Sequence, residues 1–253
     1  MVESGITREI KPDVNLGILI GLLLTDGWVS SKQIGISNKS EEMHRIFKEK
    51  VSLLFGTQNF KERKSGFNVK QTEVNNISIV KTLIKICKLE NFRRKPFANG
   101  LFPDVRLPEF IKELSNQEKC KVLQTIFSAD GSISLSIRWH KRNKKWEIRR
   151  RIELACKHPI LRKDLIELLR SVGLRPVNSK NENITLEKKE DLIKFAKEIR
   201  FIDGVKISAN SKIWHDIEKN KVLDLAVKTI KLDGHFLKKF KTKEEVINLK
   251  SLL

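Results

Sequence analysis

The chain has 253 residues, 40% of them hydrophobic, and its 51 Lys and Arg outnumber 31 Asp and Glu to give a formal charge of +20. That apolar content suits a packed globule and excludes a disordered basic tail, while the excess charge points to a polyanionic partner, most often nucleic acid. The longest apolar-plus-glycine run, Leu16 to Leu24, is far short of the roughly 20 residues a membrane-spanning helix needs, and acidic Asp13 before it argues against a signal peptide.

In chain order, residues 16–27 read LGILIGLLLTDG, an apolar helix that stops abruptly at Asp26-Gly27. Trp28 to Ser30, a Ser-Ser-Lys turn and the alternating stretch from Gln33 to Ser37 predict two strands. Ser40 is placed as an N-cap for a helix with Glu41 and Glu42 in its first turn, a buried stripe of Met43, Phe47, Val51 and Leu54, and an end at Gly56. Strands over 57–63 and 67–72 turn at Ser65-Gly66, and a helix over 75–88 closes the unit. Residues 89–112, with Pro96, Asn99-Gly100, Pro103 and Pro108, read as a linker.

The pattern then restarts. Residues 120–131 read CKVLQTIFSADG, and the strand after Gly131 alternates strictly, with Ser132, Ser134, Ser136, Arg138 and His140 opposite Ile133, Leu135, Ile137 and Trp139. A return strand follows, then a helix from Pro159 with the stripe Leu161, Leu165, Leu168, Leu169 and Val172, ending at Gly173. Strands over 174–179 and 183–187 and a helix over 188–200 complete the second copy. The order helix, two strands, helix, two strands, helix is thus stated twice, an α+β architecture divided into 1–100 and 101–253. Residues 206–253 read as a Lys-rich, mostly helical tail with no assignable role.

Other chemistries find little support. Cys87, Cys120 and Cys156 form no CxxC pair and read as buried thiols of a reducing, intracellular compartment such as cytoplasm, nucleoid or organelle matrix. There is no P-loop and no GxSxG, and the five His lack metal-ligand spacing. The two Asp-Gly steps are more telling. A carboxylate at a helix C-terminus opposes the helix dipole, so its occurrence at Asp26 and again at Asp130 asks for a reason. Gly17 and Gly21 would let the two apolar helices approach about a pseudo-two-fold axis and bring both carboxylates to one end. Two adjacent carboxylates repel unless a cation lies between them, and hard oxygen ligands select Mg²⁺ or a similar ion. Such ions suit phosphodiester hydrolysis.

The pair LIGLLLTDG and LQTIFSADG resembles the signature of single-chain LAGLIDADG homing endonucleases, and the repeat order is similar to theirs over about residues 13–200. The resemblance implies two αββαββα repeats packed through their motif helices, each carrying a four-stranded antiparallel DNA-binding sheet. It implies Asp26 and Asp130 as metal-binding catalytic acids, the Thr25 and Ala129 carbonyls as further metal contacts, and Mg²⁺ or Mn²⁺ as cofactor. It also places Asn38 and Lys39 in the first half, and Lys157 in the second, beside the catalytic water; Cys156 stands where a polar partner is expected.

On this reading the sheets form a basic saddle in the major groove of double-stranded DNA. The expected contacts in the first half are Trp28, Ser30, Gln33, Ser37, Asn59, Lys61, Arg63, Asn68, Lys70 and Thr72. In the second half they are Ser132, Ser134, Ser136, Arg138, His140, Lys141, Arg142, Lys145, Glu147, Arg149 and Arg151, with Arg150 breaking the alternation of the return strand. Arg, Gln and Asn suit base edges, and Lys suits phosphates. The expected function is a monomeric enzyme cutting both strands of a long non-palindromic site, with no membrane association. An intron RNA maturase of the same family is the alternative.

Overall fold

In this computed structural model the described residues are 10–66, 69–88, 104–140, 145–178, 182–208, 211 and 213–231; the side chains of 65, 137–140, 145, 146 and 231 are outside the description. The first repeat runs α1 (Val14–Thr25), β1 (Gly27–Val29), β2 (Gln33–Asn38), α2 (Glu41–Phe55), β3 (Phe60–Ser65), β4 (Val69–Asn75) and α3 (Ile77–Cys87). After a short α4 (Glu109–Glu113), the second runs α5 (Asn116–Ala129), β5 (Gly131–His140), β6 (Lys145–Ala155), α6 (Pro159–Ser171), β7 (Val177–Asn178), β8 (Asn183–Leu186) and α7 (Lys189–Glu198), and α8 (Lys219–Lys231) follows. Both sheets are antiparallel and share one topology, β1-β2-β4-β3 and β5-β6-β8-β7. The α+β class and the doubled unit therefore hold.

Local chemistry sets the helix starts. The Asp13 carboxylate accepts the Leu16 N–H at 2.9 Å to open α1, and Ser115 with Glu118 forms a capping box on α5. Ser40 sits at the N-cap of α2 as expected, but its side chain makes no cap bond.

α1 is apolar on every side because it is buried on every side, between α2, its own sheet and α5. A Cβ on Gly17 would stand 2.8 Å from Val122 Cγ2, and one on Gly21 3.2 Å from Ile126 Cγ1. Contacts advance together along both helices, so α1 and α5 run side by side in the same direction and end together. The Asp-Gly glycines have a similar origin, since a Cβ on Gly27 or Gly131 would strike the backbone of Leu23 or Phe127 one turn earlier.

The core is continuous from Leu19, Ile36 and Phe47 in the first repeat to Phe127, Leu165 and Phe195 in the second. Phe127 stands edge-on to Phe195 at 5.1 Å between ring centroids.

Several expected boundaries move. β4 runs to Asn75, three residues beyond the expected end of its strand, because Val74 continues the buried row under β2. β7 is only two residues long. Part of the expected linker folds as α4, which buries Ile111, whereas 89–103 fall outside the described residues. The tail is not an appendage over its first part. α8 packs on β5 and α7, and Trp214 Nε1 donates to the Leu135 carbonyl at 2.7 Å.

Candidate functional site

Each motif helix delivers its aspartate as the C-cap: the Asp26 N–H donates to the Leu22 carbonyl and the Asp130 N–H to that of Ile126. Because α1 and α5 end together, both carboxylates reach one locality. A third group marks that locality. Lys219, the first residue of α8, is buried, and its ammonium donates to the Ser128 carbonyl at 2.7 Å and the Gly131 carbonyl at 2.6 Å. The ring of Phe201 lies 5.4 Å from Nζ. Burial lowers the Lys219 pKa to about 8, against the opposing pull of Asp26 and Asp130, so one cation lies in the field of both acids. Sequence reasoning missed it.

Asn38 at the end of β2 donates its side-chain N–H to Asp26 Oδ2 at 2.5 Å. Its own orientation is fixed from behind, since Asn38 Oδ1 accepts the Ser40 N–H at 2.7 Å. His44 on α2 lies 3.0 Å from the Asn38 carbonyl through Nε2, which must therefore donate, leaving Nδ1 to accept the Thr72 hydroxyl at 2.8 Å. Burial holds the His44 pKa below its ordinary value, with the Asn38 carbonyl pulling the other way, so the neutral ring is favoured.

The second repeat is built differently at the same place. Cys156 donates weakly to the His158 carbonyl at 3.6 Å, and burial pushes its thiol up to about 11. Arg162, at the position of His44, donates to the Cys156 carbonyl at 3.1 Å.

Lys39 and Lys157 are exposed and border different clefts. Lys39 borders a cleft of about 780 Å³ with Ala129 and Lys219, and Lys157 borders a smaller one of about 230 Å³ with Thr25 and Asp130. Among the described residues no group of three or more His, Cys, Asp and Glu is placed to hold a metal ion, so a metal here would rest on two carboxylates and nearby carbonyls. Paired carboxylates on converging helix ends, with Thr25 and Ala129 next to them, fit a hard divalent ion.

Strand register sorts the expected DNA contacts by face. In the first sheet Ile34, Ile36, Thr72 and Val74 point to the helices, which leaves Gln33, Ser37, Lys61, Arg63, Gln71, Glu73 and Asn75 on the open face. Two expectations are corrected here. Thr72 is fully buried against His44, and Lys70, on the same covered face, pairs with Glu41 at 2.7 Å and Glu62 at 3.0 Å. Val69 and Val74 lie five apart, so the strand's apolar residues do not share a face, and the observed register puts Gln71, Glu73 and Asn75 on the open face where the sequence pattern suggests Asn68, Lys70 and Thr72.

Other assignments are qualified. Ser30 is exposed but occupied in the β1–β2 turn, where its hydroxyl bonds Gln33. The Trp28 indole lies across Gly35 on the open face, where a Cβ on that glycine would collide with it. Asn59 is exposed just before β3.

In the second sheet Ile133, Leu135, Ile152 and Leu154 are covered, while Ser132, Ser134, Ser136, Glu147, Arg149, Arg151 and Glu153 share the open face. Arg150, which broke the alternation, points to the covered side, where it donates to Thr229 Oγ1 at 2.8 Å and the Thr229 carbonyl at 2.5 Å. Arg138, His140 and Lys145 lie in β5 and β6 without described side chains, and Asn68, Lys141 and Arg142 fall outside the described residues.

Residues 13–94 match the family model of the LAGLIDADG-like domain. No curated protein matches the chain in sequence. Among solved structures, the meganuclease I-SmaMI, bound to uncleaveable DNA, is similar at 12% identity over 97% of this chain and 98% of its own, with a TM-score of 0.54. The LAGLIDADG meganuclease I-AabMI, bound to uncleaved DNA, is similar at 14% identity over 93% of this chain and 96% of its own, with a TM-score of 0.52. I-DmoI, in complex with DNA and Mn, aligns with 74% of this chain and 97% of its own at 15% identity and a TM-score of 0.47. The first repeat is thus a LAGLIDADG-like domain, and the whole chain has the two-repeat fold of the LAGLIDADG meganucleases.

Proposed function

We propose that this protein is a site-specific DNA endonuclease that acts as a monomer and hydrolyses one phosphodiester bond in each strand of a long non-palindromic duplex. The observation that carries the reading is the meeting of Asp26 and Asp130 at paired helix ends within reach of one buried cation, Lys219. Asp26 and Asp130, with the carbonyls of Thr25 and Ala129, would hold Mg²⁺ or Mn²⁺. The chemistry such ions supply is positive charge on the scissile phosphate and acidification of water.

The remaining roles belong to the chain itself. Asn38 fixes the rotamer of Asp26 through its amide, and His44 and Ser40 hold Asn38 in turn. Lys219 limits the mutual repulsion of the acids before DNA arrives and stabilises charge that builds there during cleavage. Lys39 and Lys157, exposed beside different clefts, hold a phosphate or a water at each strand. The open sheet faces lie along the major groove and supply the sequence reading. Their positive charge makes affinity fall steeply as salt rises.

The test is cleavage of a plasmid library of randomised duplex inserts with Mg²⁺, by wild type, Asp26→Asn and Asp130→Asn. Metal-dependent cutting lost in the double variant, with single variants nicking opposite strands, is the expected result. Cutting that survives both substitutions overturns the assignment of the acids. Tight binding to structured RNA with no DNA cut favours the maturase instead.

A further inference from the structure

Register extends the comparison of repeats to single positions. Asn38 ends β2 as Cys156 follows β6, so Gln33 in the first sheet takes the place that Arg151 takes in the second. The neighbours correspond as well. Gln33 pairs across the ladder with Asn75, and Arg151 stands beside Glu187, one step beyond the Ile152–Leu186 pair. The same spot on the two open faces therefore carries an amide pair in one repeat and an ion pair in the other.

The arginine is held in place. Its Nη2 lies 3.0 Å from Glu153 Oε1 and its Nη1 3.6 Å from Glu187 Oε1, and its side chain is 21% exposed. With its Nε buried, the N–H bonds left for a ligand are those of the terminal amino groups that are not turned to Glu153 and Glu187. Opposite Arg151 on β5 stands Ser134, with Ser132 and Ser136 to either side, short side chains that leave the fork room above the sheet.

An arginine whose charge is already met by two carboxylates gains little from a phosphate. A planar fork held in one orientation suits two acceptors in a plane instead. Guanine presents such a pair in the major groove as O6 and N7, and a glutamine amide matches N6 and N7 of adenine.

Resting on the endonuclease reading above, we infer that Arg151 and Gln33 are equivalent base-reading positions, Arg151 selecting guanine in one half-site and Gln33 adenine at the matching step of the other. The target is then unequal in a defined way. The two half-sites differ at this step by a G·C pair against an A·T pair.

The test is a binding selection from randomised duplexes without divalent metal, followed by sequencing, for wild type, R151Q and Q33R. R151Q should convert one preferred G·C to A·T in one half-site only, and Q33R should do the converse in the other half. Each exchange should alter discrimination at its step by roughly 5- to 150-fold. R151K, which keeps the charge and loses the fork, should blur the preference while retaining the salt dependence of binding. A phosphate contact would behave differently, with R151Q lowering the salt slope by about 1 uniformly across sequences. Thermal melting by circular dichroism establishes that each variant is folded.

A wild-type site whose preferred bases are unchanged in R151Q and Q33R overturns the inference, as does a change in salt slope with no change in preference. If wild type selects no sequence at all, the endonuclease reading fails, and the inference with it.

Discussion

The second strands of the two sheets lead toward Asp26 and Asp130 through unlike residues. In the first repeat a polar relay runs from Thr72 through His44 and Asn38 to Asp26. In the second, Cys156 stands in for Asn38 with a thiol that burial keeps protonated, and Arg162 takes over the backbone contact of His44. The surroundings are unequal too, since the cleft beside Lys39 is about 780 Å³ and the one beside Lys157 about 230 Å³. An internal duplication can therefore preserve its scaffold while its two chemical centres diverge. The backbone, which needs only register and helix packing, has kept the symmetry. The side chains around each acid have not, as the proposed division of the two acids between two DNA strands would allow.

Four experiments test that contrast. The largest effect should come from the part the repeats share. Phe127 is fully buried against Phe195, and Phe127→Ala should cost about 3–5 kcal/mol. Because α1 and α5 pack along their length, both halves should still melt in one transition, by calorimetry; two separate transitions would show the repeats to be independent. Lys219 comes next. Lys219→Met should slow cutting of both strands by about 10²–10³-fold, whereas each aspartate variant spares one strand. Strand-resolved nicking assays distinguish these, and slowing confined to one strand would assign Lys219 to a single centre.

The third experiment tests the inequality itself. Asn38→Cys should lower the rate of the Asp26 strand by about 10- to 100-fold, the worth of a charge-assisted hydrogen bond, and bring the two strands closer to parity. Equal strand rates in wild type would remove the contrast. The smallest effect concerns His44. Its pKa is lowered in the fold, so between the unfolded value near 6.5 and the lower native one the unfolded chain binds the proton that the native ring does not. Stability is complete above about pH 6.5 and declines as pH falls through that window, by at most about 1.4 kcal/mol per pH unit. Urea midpoints for wild type and His44→Gln should differ in pH dependence there and run parallel above it.

Much of this was legible in the residues. The doubled helix–strand order was enough to predict the fold, the misplaced charge at Asp26 and Asp130 to predict that two helix ends converge there, and Gly17 and Gly21 to predict how closely the helices meet. The open face of β5 was equally plain, because its apolar residues keep strict alternation. β4 was not, because its covered face carries Lys70 and Thr72, whose partners Glu41, Glu62 and His44 come from elements distant in sequence. Local pattern cannot announce a polar residue buried by a remote partner.

Lys219 is instructive for the opposite reason. It starts α8, and a cation at a helix N-terminus is as ill-suited to the dipole as an aspartate at a C-terminus. The same mismatch with the helix dipole that marks Asp26 and Asp130 marks Lys219 in the tail.

The glycines of α1 have one further effect. The carboxylates sit at the tips of two rods whose separation is set where Gly17 meets Val122 and Gly21 meets Ile126. Two missing methyl groups thus act as a gauge block. A wider residue at Gly17 or Gly21 would shift one tip against the other and, on the proposed endonuclease reading, change the offset between the two cuts while leaving the sheet faces as they were.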